Sequence, residues 1–125
     1  MKDEKSGKID LRKRTKEYAL RIIRLYSSLP KQTVAQVTGK QLLRSGISVA
    51  AHYREACRAK SDADFVNKIE TALQELDETD LWLEILVDSG IVKAQKMTAL
   101  RAETNVLISV FVAMTKSVKA RNRKK

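Results

Sequence analysis

Apolar residues recur at steps of three and four in four separate stretches of the chain, the period of α-helices that each turn one face inward. In the first stretch Leu11, Thr15, Tyr18, Ile22, Leu25, Tyr26 and Leu29 share a side, and Arg14, Glu17, Arg21 and Arg24 lie opposite. A helix over 9–29 is predicted, with Asp10 as its N-cap. Pro30 closes it, because proline cannot donate to the helix and disfavours helical geometry one residue earlier. The second stretch runs from about Thr33 to Ala59 and aligns Thr38, Leu42, Ser45, Val49, Tyr53 and Ala56. Glycine inside a helix costs roughly 1 kcal/mol relative to alanine, so Gly46, set among Ser45, Ser48, Ala50 and Ala51, predicts another backbone passing close by. Ser61 and Asp64 form a capping box with Asp in place of the usual Glu. They open a third helix, whose seam is Phe65, Ile69, Ala72, Leu76, Thr79, Leu83 and Leu86. Gly90 is predicted to end it in left-handed geometry, with Ile91 making the accompanying apolar contact. The fourth seam is Met97, Leu100, Thr104, Leu107, Phe111, Met114 and Val118. From Val106 to Met114 this helix is apolar on nearly every face, which implies burial beyond one intramolecular seam.

Four amphipathic helices joined by short turns predict an all-α fold, an antiparallel up-down-up-down four-helix bundle. One domain over 1–125 is expected, with a loose arm at 1–8 and a basic tail at 119–125, where Lys116 to Lys125 holds six basic residues and no acidic ones. A single proline and four glycines exclude a many-turned β-sandwich, and a single cysteine excludes an internal disulfide. No N-terminal leader pattern or run of eighteen apolar residues is visible. The expectation is a soluble cytoplasmic protein with no membrane partner.

Charge sharpens this picture. The formal net charge is +10, yet Ser61–Ser89 holds nine acidic residues against one basic, so one helix is acidic and the other segments are basic. In helical projection Lys40, Arg44, Arg54 and Arg58 fall within about 80° of one another. Arg12, Lys13, Arg14 and Lys16 add to this positive surface, and together the eight are the candidate nucleic-acid-binding residues. Aromatic residues are not interleaved among them, so binding would rest on phosphates and shape rather than on bases.

Catalysis and metal binding find little support. His52 is the single histidine, so a bundle metal site built from two Glu-x-x-His motifs is excluded. His52 reads as a helix residue at the core margin, and Cys57, five positions on and pointing elsewhere, reads as packing. Glu70, Asp77, Glu84 and Asp88, with Asp80 nearby, read as a solvated face or as charge complementary to a basic neighbour. No cofactor is expected. Leu81, Trp82 and Ile85 lie off the third seam and form an apolar flank, which a core extension explains about as well as a subunit interface.

The segments DLRKRTKEYALRIIRLYSSLP, GKQLLRSGISVAAHYREACRAKS and ELDETDLWLEILVDSGI resemble the small bacterial proteins encoded in intervening sequences of 23S rRNA genes. More distantly, the chain is similar to the accessory variability determinant of diversity-generating retroelements, a bundle that associates with a reverse transcriptase. Many members of the first family carry Asn where this chain has His52. The resemblance implies a non-enzymatic basic bundle that assembles as a ring, commonly a homopentamer, and binds nucleic acid. It also tips Leu81, Trp82 and Ile85 toward a subunit interface. The alternative it implies is an adaptor for a protein partner such as a nucleic-acid enzyme.

Overall fold

The computed structural model describes residues 10–123, so the arm at 1–8 and the final two residues lie outside the described part. Four helices follow one another: α1 (Leu11–Ser27), α2 (Thr33–Cys57), α3 (Asp62–Asp88) and α4 (Ala94–Arg123). The described residues contain no strand. Helices adjacent in the chain pack against each other in the antiparallel order that the seams predict.

The helix boundaries have local causes. The Asp10 carboxylate accepts from the Lys13 N–H at 3.2 Å and caps α1. Ser61 Oγ accepts from the Asp64 N–H at 3.0 Å and caps α3. The Asp64 carboxylate in turn accepts from the Lys60 N–H at 3.4 Å, one residue earlier than a reciprocal box would have it. At the other end of α3, Gly90 has φ +80. Its N–H donates to the Val87 carbonyl, and the Ile91 N–H donates to the Leu86 carbonyl. These bonds satisfy carbonyls that the end of a helix otherwise strands. Ile91 packs on the core, as expected. The basic residues from Lys116 to Arg123 continue α4 as helix.

The core is the four seams brought together, with Ile22, Leu42, Val49, Ile69, Leu76, Leu83, Leu86, Leu107 and Phe111 all fully buried. Several details differ from the sequence expectation: the seam residues Leu25, Tyr26, Tyr53 and Phe65 are only half-buried, and two further differences concern α4 and Gly46. In α4 the buried position after Phe111 is Thr115, and Met114 is half-buried. A step of four follows the 3.6-residue turn there more closely than the step of three. At Gly46 the close neighbour is a side chain, not a backbone: an added Cβ would lie 2.8 Å from Ile22 Cγ1 and 2.9 Å from its Cγ2. Gly39 similarly receives Leu29 and Tyr26, at 2.7 and 2.9 Å from where its Cβ would be. Two glycines in α2 thus let α1 seat large side chains directly on the α2 backbone.

Buried hydroxyls meet across the interior. Tyr18 Oη and Thr104 Oγ1 are 2.6 Å apart, and Thr104 donates its own proton to the Leu100 carbonyl at 2.9 Å. Tyr18 is therefore the donor between them. The Ser45 and Thr79 hydroxyls are 2.8 Å apart, with Thr79 2.7 Å from the Glu75 carbonyl and Ser45 3.3 Å from the Leu42 carbonyl. These pairs tie α1 to α4 and α2 to α3. Tyr53 stacks on Phe111 with ring centroids 5.8 Å apart, joining α2 to α4.

Candidate nucleic-acid interface

Of the eight basic candidates, the bundle leaves six free and engages two. Lys40 and Arg54 on α2, Arg58 at its C-cap, and Arg12, Lys13 and Lys16 on α1 are exposed, and among the described residues none has a carboxylate within ion-pair distance. The register of Gly46 on Ile22 and of Gly39 on Leu29 sets the first turn of α1 beside the last turns of α2. The charge of Arg12 accordingly reaches Tyr53. Arg12, Lys13, Lys16, Arg54 and Arg58 thereby collect at one end of the α1–α2 face. Lys40 lies farther along α2, more than three turns away.

Arg14 and Arg44 are spoken for. Arg14 donates through Nε and Nη2 to the two carboxylate oxygens of Glu103 at 2.7 and 2.8 Å, a bidentate pair that closes α1 on α4. The Glu103 hydrogen bond holds the Arg14 guanidinium protonated more firmly still. Arg44 lies at the α3 edge of the basic stripe, donating to Glu78 at 2.6 Å and to Glu75 at 3.4 Å. The 3.6-residue period placed both arginines on the polar side of their helices. It could not say which neighbouring helix would meet them.

The acidic helix is largely a charge complement to its neighbours. Asp80 pairs with Arg101, Glu70 with Lys119 and Asp62 with Arg121 on α4, while Glu75 and Glu78 take Arg44 on α2. Asp77, Glu84 and Asp88 remain exposed without a basic partner among the described residues. His52 sits at the core margin on the α2–α3 seam. Its Nδ1 is 3.3 Å from Glu55 and its Nε2 is 3.8 Å from Glu75. His52, with Lys68 beyond it, holds the Glu55 carboxyl below its usual range. Among the described residues no three His, Cys, Asp or Glu side chains gather as a metal site.

A family profile for the 23S rRNA-intervening sequence protein matches residues 7–113. The chain belongs to that family. Among solved structures four chains match. One is the crystal structure of a protein of unknown function from the S23 ribosomal protein family of Bacteroides thetaiotaomicron VPI-5482. It is 34% identical, with a TM-score of 0.79 over 84% of this chain and 97% of that one. No curated protein matches. These likenesses name no reaction, and nothing in them points to catalysis.

Two apolar surfaces complete the exterior of this family member. Leu81 is 47% exposed, Ile85 is half-buried and Trp82 packs partly on the core. The register set by Ser45 on Thr79 places Val34 and Val37, 54% and 59% exposed, at the same end of the α2–α3 face. The sequence reading missed these two valines, although β-branched residues three apart and off the seam were a signal. The second surface is a groove of 450 Å³ lined by Phe65, Val110, Ala113, Met114 and Ser117 on α3 and α4. Val106, 39% exposed, belongs to the same α4 stretch. By length and hydropathy α4 passes for a membrane span, with 28% of its most apolar stretch buried in the protomer.

Cys57 corrects the sequence reading. It is exposed rather than packed, because it is the last residue of α2, where the helix runs out to the turn into α3. Burial, with the Cys57 thiol nearby, pushes the Tyr53 phenol up.

Proposed function

We propose that the protein is a non-enzymatic, oligomeric, cytoplasmic bundle that binds structured RNA or DNA through phosphate contacts. The observation carrying this reading is the sorting of charge. The cations beside α3 are largely held in ion pairs, whereas Arg12, Lys13, Lys16, Lys40, Arg54 and Arg58 are exposed on the α1–α2 face without one among the described residues. Surface cations left free can exchange counterions for phosphates, which makes such binding steeply salt-dependent. The setting that the family's description names, the intervening sequence of 23S rRNA, favours a nucleic-acid partner.

Self-association as a ring, with a homopentamer expected, is supported by the two separate apolar surfaces. A head-to-tail contact joins unlike patches on successive subunits and closes when the rotation allows. Leu81, Trp82 and Ile85, extended by Val34 and Val37, would serve as one side, and the Val110–Met114 groove as the other. The apolar excess of α4 is thereby assigned to subunit contact rather than to a membrane. If the chain stays monomeric, the same exposed valines favour the second reading, an adaptor docking onto a nucleic-acid enzyme.

Crosslinking in cells, followed by sequencing of bound nucleic acid and identification of co-purified proteins, tests the two readings together. Recovered RNA or DNA lost on Arg54→Gln/Arg58→Gln substitution supports the first. A protein partner recovered without nucleic acid overturns it.

A further inference from the structure

We infer that the α1–α2 face grips a double-helical segment across its two strands, rather than a single strand. This rests on the nucleic-acid reading above and adds the class of ligand.

The first reason is that no aromatic residue is in the open on the basic face. The chain has three tyrosines, two phenylalanines and one tryptophan. Tyr18 and Phe111 are fully buried. Tyr26, Tyr53, Phe65 and Trp82 pack against the core. Single-strand binders without sequence preference combine a basic groove with aromatic side chains on which bases stack. Here every ring is buried or half-buried, Tyr53 with one face stacked on Phe111, whereas the cations are exposed. A duplex keeps its bases paired inside and presents phosphates alone, which is what this face can bind.

The second reason is the arrangement of the cations in two rows. Arg12 and Lys16 are one turn apart on α1, and Arg54 in the last turn of α2 is followed four residues on by Arg58, the C-cap. That is about 6 Å along each axis, close to the roughly 7 Å of two phosphate steps along one strand. The rows are separated by the α1–α2 packing distance, on the order of 10 Å. This is comparable to the grooves of a B-form duplex, about 6 and 12 Å wide. A single strand would follow one row, whereas two strands flanking a groove can meet both.

The third reason is rigidity. Ile22 rests on Gly46, and Leu29 and Tyr26 rest on Gly39, so the spacing of the rows is set by packed side chains rather than by flexible loops. A fixed spacing suits a stiff ligand, since little ordering is required of either partner on binding.

The test compares a labelled 20-base-pair duplex with a single strand of the same sequence, each titrated with full-length protein between about 50 and 200 mM salt, the range over which phosphate contacts weaken strongly. The duplex is expected to bind at least about tenfold tighter at equal salt. Arg12→Gln/Lys16→Gln and Arg54→Gln/Arg58→Gln, checked for unchanged helicity, should each flatten the duplex log–log slope by about 1.8, at ~0.9 per phosphate. Equal or tighter single-strand binding that is still lost in these variants would overturn the duplex assignment and leave the basic face as a binding site. A duplex preference affected by only one variant pair would overturn the two-row grip. Binding of neither probe would remove the nucleic-acid reading itself.

Discussion

A methyl group on Gly46 would meet three atoms of Ile22, at 2.8, 2.9 and 3.2 Å, and Ile22 is fully buried with no free direction in which to yield. Overpacking of this kind costs about 1–3 kcal/mol, and the better helix propensity of alanine returns roughly 1 kcal/mol. Gly46→Ala should therefore lower the urea midpoint by a modest amount at unchanged m, and Ile22→Ala, which removes both clashing Cγ atoms, should cost less on that background than it does alone. Tyr18 yields a pH prediction. Burial pushes its phenol above the ordinary value of 10.0, so the fold favours the neutral form. That contribution is complete below the unfolded value and is lost as pH rises past it. Wild type should lose stability above about pH 10 more steeply than Tyr18→Phe, followed by thermal melts across alkaline pH. At neutral pH the same substitution should cost about 1 kcal/mol, the net worth of one hydrogen bond.

Helix pairs depend on contacts that sequence period alone does not specify. The Arg14–Glu103 pair closes α1 on α4 with bidentate geometry, and the arginine is about a third exposed, so its net worth is on the order of 1 kcal/mol after solvent screening. A double-mutant cycle with Arg14→Gln and Glu103→Gln should give coupling of that size, shrinking in high salt. The seams, caps and turns were legible because each depends on residues close in sequence. Ser61 with Asp64, and Gly90 with Ile91, are local signals and behaved as such. The partners of Arg14, Arg44 and Gly46 were not legible, since each depends on the register between helices. Thr115 replaced Met114 inside for the same kind of reason, a fraction of a turn that only packing settles. Cys57 was misread because its place at the last residue of α2, rather than its apolar character, decides its exposure.

At the scale of the molecule, Arg12, Lys13, Lys16, Arg54 and Arg58 lie at one end of the α1–α2 face, and Val34, Val37, Leu81 and Ile85 lie toward the other end of α2 and α3. Light scattering at micromolar concentration should give several times the 14.1 kDa chain mass. Leu81→Glu with Val37→Glu should reduce it to that of the monomer without loss of helicity. A wild-type monomer would instead favour the adaptor reading. The interior hydroxyls then bear on how freely such surfaces can change. Sliding α4 past α1, or α3 past α2, by one turn would still bury leucines against leucines, but it would strand Tyr18 and Thr79 away from Thr104 and Ser45. Alignment is thus stored inside the bundle, out of reach of the solvent-facing positions. A wholesale exchange of the outer residues, whether for a different ligand or a different assembly, should leave the four helices meeting at the same heights.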